Sequence, residues 1–93
     1  MRIVGEISHP NLKITIFKNG NRLSVKFEDG SVEQTYKFDD GQGIESVGDV
    51  KKHIDAAFLK NVEEGIATMK ITRLSTLKRN AKGAAADEFP VII

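Results

Sequence analysis

The sequence predicts an α+β fold, a four-stranded antiparallel β-meander with one face covered by a long C-terminal helix. Three observations predict it. Asn19-Gly20 and Asp29-Gly30 are turn dipeptides on either side of a short run of alternating apolar and polar residues, the pattern of successive hairpins. Val47, Val50, Ile54, Phe58, Val62 and Ile66 then recur at helical spacing, with Ala57 in the same stripe, and such a stripe closes the open face of a sheet. The 93 residues contain no cysteine, so a single small domain has to rest on its apolar core or on an oligomer interface rather than on disulfides.

The strands follow from pairing. Taking Asn19-Gly20 as the central residues of a type I′ turn opposes Ile16 to Leu23, Ile14 to Val25 and Leu12 to Phe27, and moving the turn by one residue is expected to break this match. The same count from Asp29-Gly30 opposes Phe27 to Val32, Val25 to Gln34 and Leu23 to Tyr36. Gln34 is the one misfit. Upstream, Ser8-His9-Pro10-Asn11 reads as a four-residue loop that opposes Ile7 to Leu12, Gly5 to Ile14 and Ile3 to Ile16. The meander thus occupies residues 1–38. Its other face carries Arg2, Lys13, Thr15, Arg22, Ser24, Lys26, Glu28, Glu33, Thr35 and Lys37, with Val4 and Phe17 as apolar exceptions, as expected of a sheet with water on one side. Phe17 among Lys13, Arg22 and Lys26 is a single aromatic where sheets that bind RNA present two or three.

The helical region is expected over residues 46–80. Ser46 and Asp49 form a capping-box start. Gly65 is a candidate end or kink, but Glu63 and Glu64 in a last turn would oppose the helix dipole, which favours continuation to about Asn80. Such a helix runs to roughly 50 Å at 1.5 Å per residue, about twice the length of seven-residue strands. Ile71, Leu74 and Leu77 drift off the first stripe, so the second half is expected to meet another chain, a second copy being the simplest. The competing reading makes residues 68–73 a fifth strand, because threonine and isoleucine are strand-prone.

Charge and motifs narrow the function. Fourteen basic residues stand against thirteen acidic ones, which gives no global field to favour nucleic acid or membrane. The local exception is Lys70, Arg73, Lys78, Arg79 and Lys82, a basic run that either neutralises phosphates or meets the carbonyl dipoles of a helix end. After a connector from Gly83, residues 83–93 end in an apolar tail whose Phe89, Val91, Ile92 and Ile93 are candidates for docking on a sheet edge or a partner protein. His9 and His53 have no cysteine or carboxylate at metal-site spacing, Asp39-Asp40-Gly41-Gln42-Gly43 lacks the ligand pattern of a calcium loop, and no phosphate-cradling or nucleophile motif is present. Glu6 falls where a signal peptide would need apolar residues, and no run reaches bilayer-spanning length. The expectation is a cytoplasmic, non-enzymatic interaction or assembly module without a cofactor, homo-oligomeric through Ile71, Leu74, Leu77 and the tail. The second reading is a nucleic-acid-binding accessory protein using residues 70–82.

Overall fold

The computed structural model describes residues 1–39 and 41–82. Four strands, β1 (Arg2–Ile7), β2 (Lys13–Asn19), β3 (Arg22–Asp29) and β4 (Val32–Phe38), form one antiparallel sheet in the order of the chain, followed by the helices α1 (Val47–His53) and α2 (Ala56–Lys82). The α+β meander with a long C-terminal helix is therefore the observed architecture. The 27 residues of α2 include the threonine-rich segment 68–73, where the hydroxyls of Thr68 and Thr72 donate to the carbonyls of Glu64 (3.1 Å) and Thr68 (3.0 Å) one turn earlier. That back-bonding satisfies the threonines inside a helix, and the fifth strand does not form.

The hairpins turn one residue later than the dipeptides suggest. Asn19 pairs with Arg22 and Asp29 with Val32, leaving Gly20-Asn21 and Gly30-Ser31 as the two-residue loops. Gly20 (φ 64°) and Gly30 (φ 61°) are positive while no described non-glycine residue is, which is the type II′ pattern with glycine first. Moving a turn by one residue slides the strands by two, so the same faces still meet. Ile16 now opposes Val25 and Ile14 opposes Phe27, and apolar residues still face apolar residues. The expectation that a one-residue shift breaks the match was wrong for this reason.

A second departure lies in β1. Ile7 pairs with Ile14 and Gly5 with Ile16, but Ile3 pairs with Phe17, which makes Val4 the extra residue of a β-bulge. The bulge exchanges two side chains. Val4 packs against the core and Ile3 is left 63% exposed, the reverse of the simple alternation.

Leu12, Ile14, Ile16, Leu23, Val25, Phe27 and Val32 of the sheet are closed over by Ile44, Val50, Ile54, Val62 and Ile66. The helical region is divided, and the division falls at Ile54-Asp55 rather than at Gly65. The Ile54 N–H still reaches the Val50 carbonyl (3.0 Å), but Ile54 leaves helical geometry at ψ 77°, and the Asp55 carboxylate then accepts the Phe58 N–H at 2.9 Å. Asp55 is thus the N-cap of α2, and the turn keeps Ile54 and Phe58 on the sheet while the helix changes direction.

Gly65 accounts for the misfit Gln34. A Cβ on Gly65 would collide with the Gln34 amide nitrogen, and the Gln34 carbonyl accepts the Tyr36 hydroxyl at 3.1 Å. The missing side chain lets α2 pass over the one polar residue on the inner face of β4. Gly65→Ala is expected to gain little or to destabilise in the native background, because the amide must move and give up Tyr36. In a Gln34→Ala background the same change should stabilise by about 1 kcal/mol, the ordinary alanine advantage in a helix. Denaturant midpoints of the four chains measure this coupling.

At the start of α1, Ser46 Oγ accepts the Asp49 N–H (3.1 Å), and Asp49 Oδ2 accepts the Glu45 N–H (3.1 Å). The Glu45 N–H holds the Asp49 carboxyl below its ordinary value of 3.8, with contacts to Ser46 adding to the effect. A lowered folded value contributes stability that is complete above the unfolded value and is lost as pH falls through the folded one. Asp49→Asn is therefore expected to lower the melting temperature at pH 7, and the two chains should converge as the pH falls from above 3.8 through the lowered folded value. A constant difference across that range would contradict this assignment.

Candidate functional site

Three contacts fix the course of α2 over the sheet. Phe58 in its first turn packs its ring against Phe27 (5.8 Å between ring centroids) and Tyr36 (5.0 Å). Further along, Glu63 Oε2 lies 3.7 Å from His9 Nε2 in the β1–β2 loop, and Lys70 Nζ reaches Asp29 Oδ2 at 2.7 Å, at the β3–β4 turn. Those two turns lie at the same end of a meander. The helix has therefore reached the rim of its own sheet by Lys70, and the twelve residues that follow add about 18 Å of overhang. The described residues extend 52 Å along their longest axis and only 19 Å along their shortest.

On that overhang Ile71, Leu74 and Leu77 are 64%, 55% and 49% exposed. Val62 and Ile66 are buried and Met69 packs on the core, whereas Ile71, Leu74 and Leu77 have left that stripe and lie where the sheet does not cover them. The three exposed residues are spaced three apart and form one row along the helix surface. Because Leu74 sits midway, the row is symmetric about it, and a second copy reversed on the first would oppose Leu74 to Leu74 and Ile71 to Leu77.

The basic run does not form one surface. Lys70 is partly buried and already paired with Asp29, and Arg79 Nη2 lies 3.4 Å from Thr76 Oγ1. Lys70 and Arg79 are about two and a half turns apart and so face opposite sides of the helix. Arg73 and Lys78 are exposed, and Lys82 is the last residue of α2. Phe89, Val91, Ile92 and Ile93 lie outside the described residues.

The outer face of the sheet is quieter than its charges suggest. Lys26 Nζ sits 5.2 Å from the centroid of Phe17 and 3.4 Å from Glu28 Oε1, so the one outer aromatic is covered by a cation. Thr15 and Ser24 beneath these long side chains are only 3% and 7% exposed. His9 closes the β1–β2 loop, where its Nδ1 accepts the N–H groups of Asn11 and Leu12, both at 3.1 Å. His53 Nδ1 donates to the Asp49 carbonyl at 2.8 Å. Among the described residues, no three His, Asp or Glu side chains are placed to hold a metal ion. No described helix is long and apolar enough to cross a membrane.

Two surface features escaped the sequence reading. Asp29 as partner of Lys70 is 41 residues away in the chain and leaves no local signal. The other is the contrast between the two edges: β4, outermost as the meander order implies, is regular over seven residues with Glu33, Thr35 and Lys37 exposed along it, whereas β1 is bulged.

No protein-family model, curated protein or solved structure matches the chain.

Proposed function

We propose that the chain is an assembly module that self-associates through the overhang of α2. The observation that carries this reading is the symmetric row of Ile71, Leu74 and Leu77, each exposed, on a helix segment beyond the reach of its own sheet. Isologous contacts require a surface complementary to itself, and a row centred on Leu74 meets that requirement. Three side chains per copy are few beside the roughly 800 Å² per partner of a standard interface, so the association is about micromolar or weaker.

Salt dependence separates this reading from nucleic-acid binding. Two overhangs brought together carry Arg73, Lys78 and Arg79 from both copies and repel, and salt screens that repulsion. Self-association through α2 should therefore strengthen with salt, whereas phosphate binding by the same cations would weaken. Sedimentation of the full chain and of Leu74→Lys, at several concentrations and two salt levels, tests this. The component of self-association removed by Leu74→Lys should grow at the higher salt, and its absence at every concentration would sink the reading.

A further inference from the structure

We infer that β4 is a self-pairing edge, at which two copies join their β4 strands antiparallel about a two-fold axis through Thr35. The two edges of the sheet are unlike. β1 is interrupted by the Val4 bulge, which spoils a strand as a template, while β4 is regular from Val32 to Phe38 and, among the described residues, pairs only with β3.

The backbone is in phase for this pairing. A two-residue turn closes with a hydrogen bond between its flanking residues, here Asp29 and Val32, and antiparallel ladders alternate from there. Gln34 and Tyr36 therefore direct their peptide groups at β3. Glu33, Thr35 and Lys37 direct theirs at the free edge.

Charge then selects the register. A two-fold axis at Thr35 opposes Glu33 of each copy to Lys37 of the other and Thr35 to Thr35 on the outer face. On the inner face it opposes Val32 to Phe38 and Gln34 to Tyr36. Sliding by two residues in one direction sets Glu33 against Asp39, and in the other leaves both charges opposite neutral side chains. The register about Thr35 alone neutralises four charges at once. It uses a surface separate from the α2 row, so a chain with both contacts assembles past the dimer.

The test isolates the edge by working in a Leu74→Lys chain, from which the α2 contact has been removed. Sedimentation equilibrium up to about 1 mM, the weak end of measurable affinity, should still show a dimer. Adding Glu33→Lys, which opposes lysine to lysine twice, should weaken it at least about tenfold. Adding Lys37→Glu as well restores opposite charges and should return the affinity to within about threefold. Thr35→Pro provides a backbone control, because a proline is tolerated where the N–H faces away from the sheet yet cannot donate across the new seam, and it should abolish the dimer. A monomeric Leu74→Lys chain, indifference to Glu33→Lys, or no recovery in the charge-swapped chain would each overturn the edge. If wild type associates while Leu74→Lys does not, the α2 reading survives and the edge falls. A wild-type monomer throughout overturns both.

Discussion

Replacing Phe27 with alanine is expected to destabilise the fold by about 3–5 kcal/mol, the largest effect of any single substitution in the sheet. Phe27 is fully buried in β3, opposite Ile14 on one side and Gln34 on the other. Its ring meets Tyr36 edge-on at 5.8 Å and Phe58 at 5.8 Å, and those two rings meet at 5.0 Å. The cluster joins two strands to α2, so truncation opens a cavity at the seam between sheet and helix where neither layer can relax without the other. A small domain holds roughly 5–15 kcal/mol in total, and a loss of this size should move a urea midpoint down by about 2 M. Phe17→Ala on the outer face removes a ring that contacts a lysine, and should cost about 1 kcal/mol or less. Similar costs for the two phenylalanines would contradict the assignment of the core to one face.

The second large effect concerns assembly. In a chain already carrying Glu33→Lys, Leu74→Lys is expected to remove the α2 contribution to self-association while leaving the monomer folded. Lysine matches leucine in helix propensity, and Leu74 is 55% exposed in the single chain, so the fold loses little. In the two-fold contact each copy loses a leucine at the axis, and two ammonium groups replace them face to face. The lost burial counts twice and the charges have no partner, for a combined cost of about 3–5 kcal/mol, or at least 100-fold in dissociation constant. Thr72→Lys, on the same overhang but off the row, should change it little. Circular dichroism checks the fold and sedimentation the mass. Equal effects at Leu74 and Thr72 would assign the loss to charge alone rather than to the apolar row.

The strand order and the buried face were legible in the sequence because a strand has a period of two and any slide by two preserves it. That same property hid the register. Asn19-Gly20 and Gly20-Asn21 both place Ile14 and Ile16 against apolar partners, and the choice is made by which residues adopt positive φ, which alternation does not encode. The Val4 bulge was hidden in another way, since Ile3 and Val4 are both apolar and either suits the core. The division at Ile54-Asp55 escaped because Val50, Ile54 and Phe58 keep helical spacing across it. Asp55 ahead of Ala56-Ala57 was the available signal, a good cap at a position where the stripe ran on.

The candidate surfaces were legible in proportion to their locality. Ile71, Leu74 and Leu77 left the Val62 and Ile66 stripe within one helix, and helix geometry alone converts that drift into exposure. The basic run was contiguous in sequence but dispersed around the helix, with Lys70 claimed by Asp29. That β4 is an edge follows from the meander order, but that it is the regular edge does not, because the Val4 bulge that interrupts β1 left no mark in the sequence.

The most direct measurement of the α2 contact is a distance between copies. The chain has no cysteine, so Ser75→Cys, at an exposed position beside Leu74, accepts a single spin label. Packed helices lie 8–10 Å apart. Pulsed dipolar spectroscopy on the labelled full chain should give a distance below about 25 Å once both label tethers are added to that spacing, and Leu74→Lys should remove it. No dipolar coupling in that range, or a distance unchanged by Leu74→Lys, would contradict self-association through the overhang.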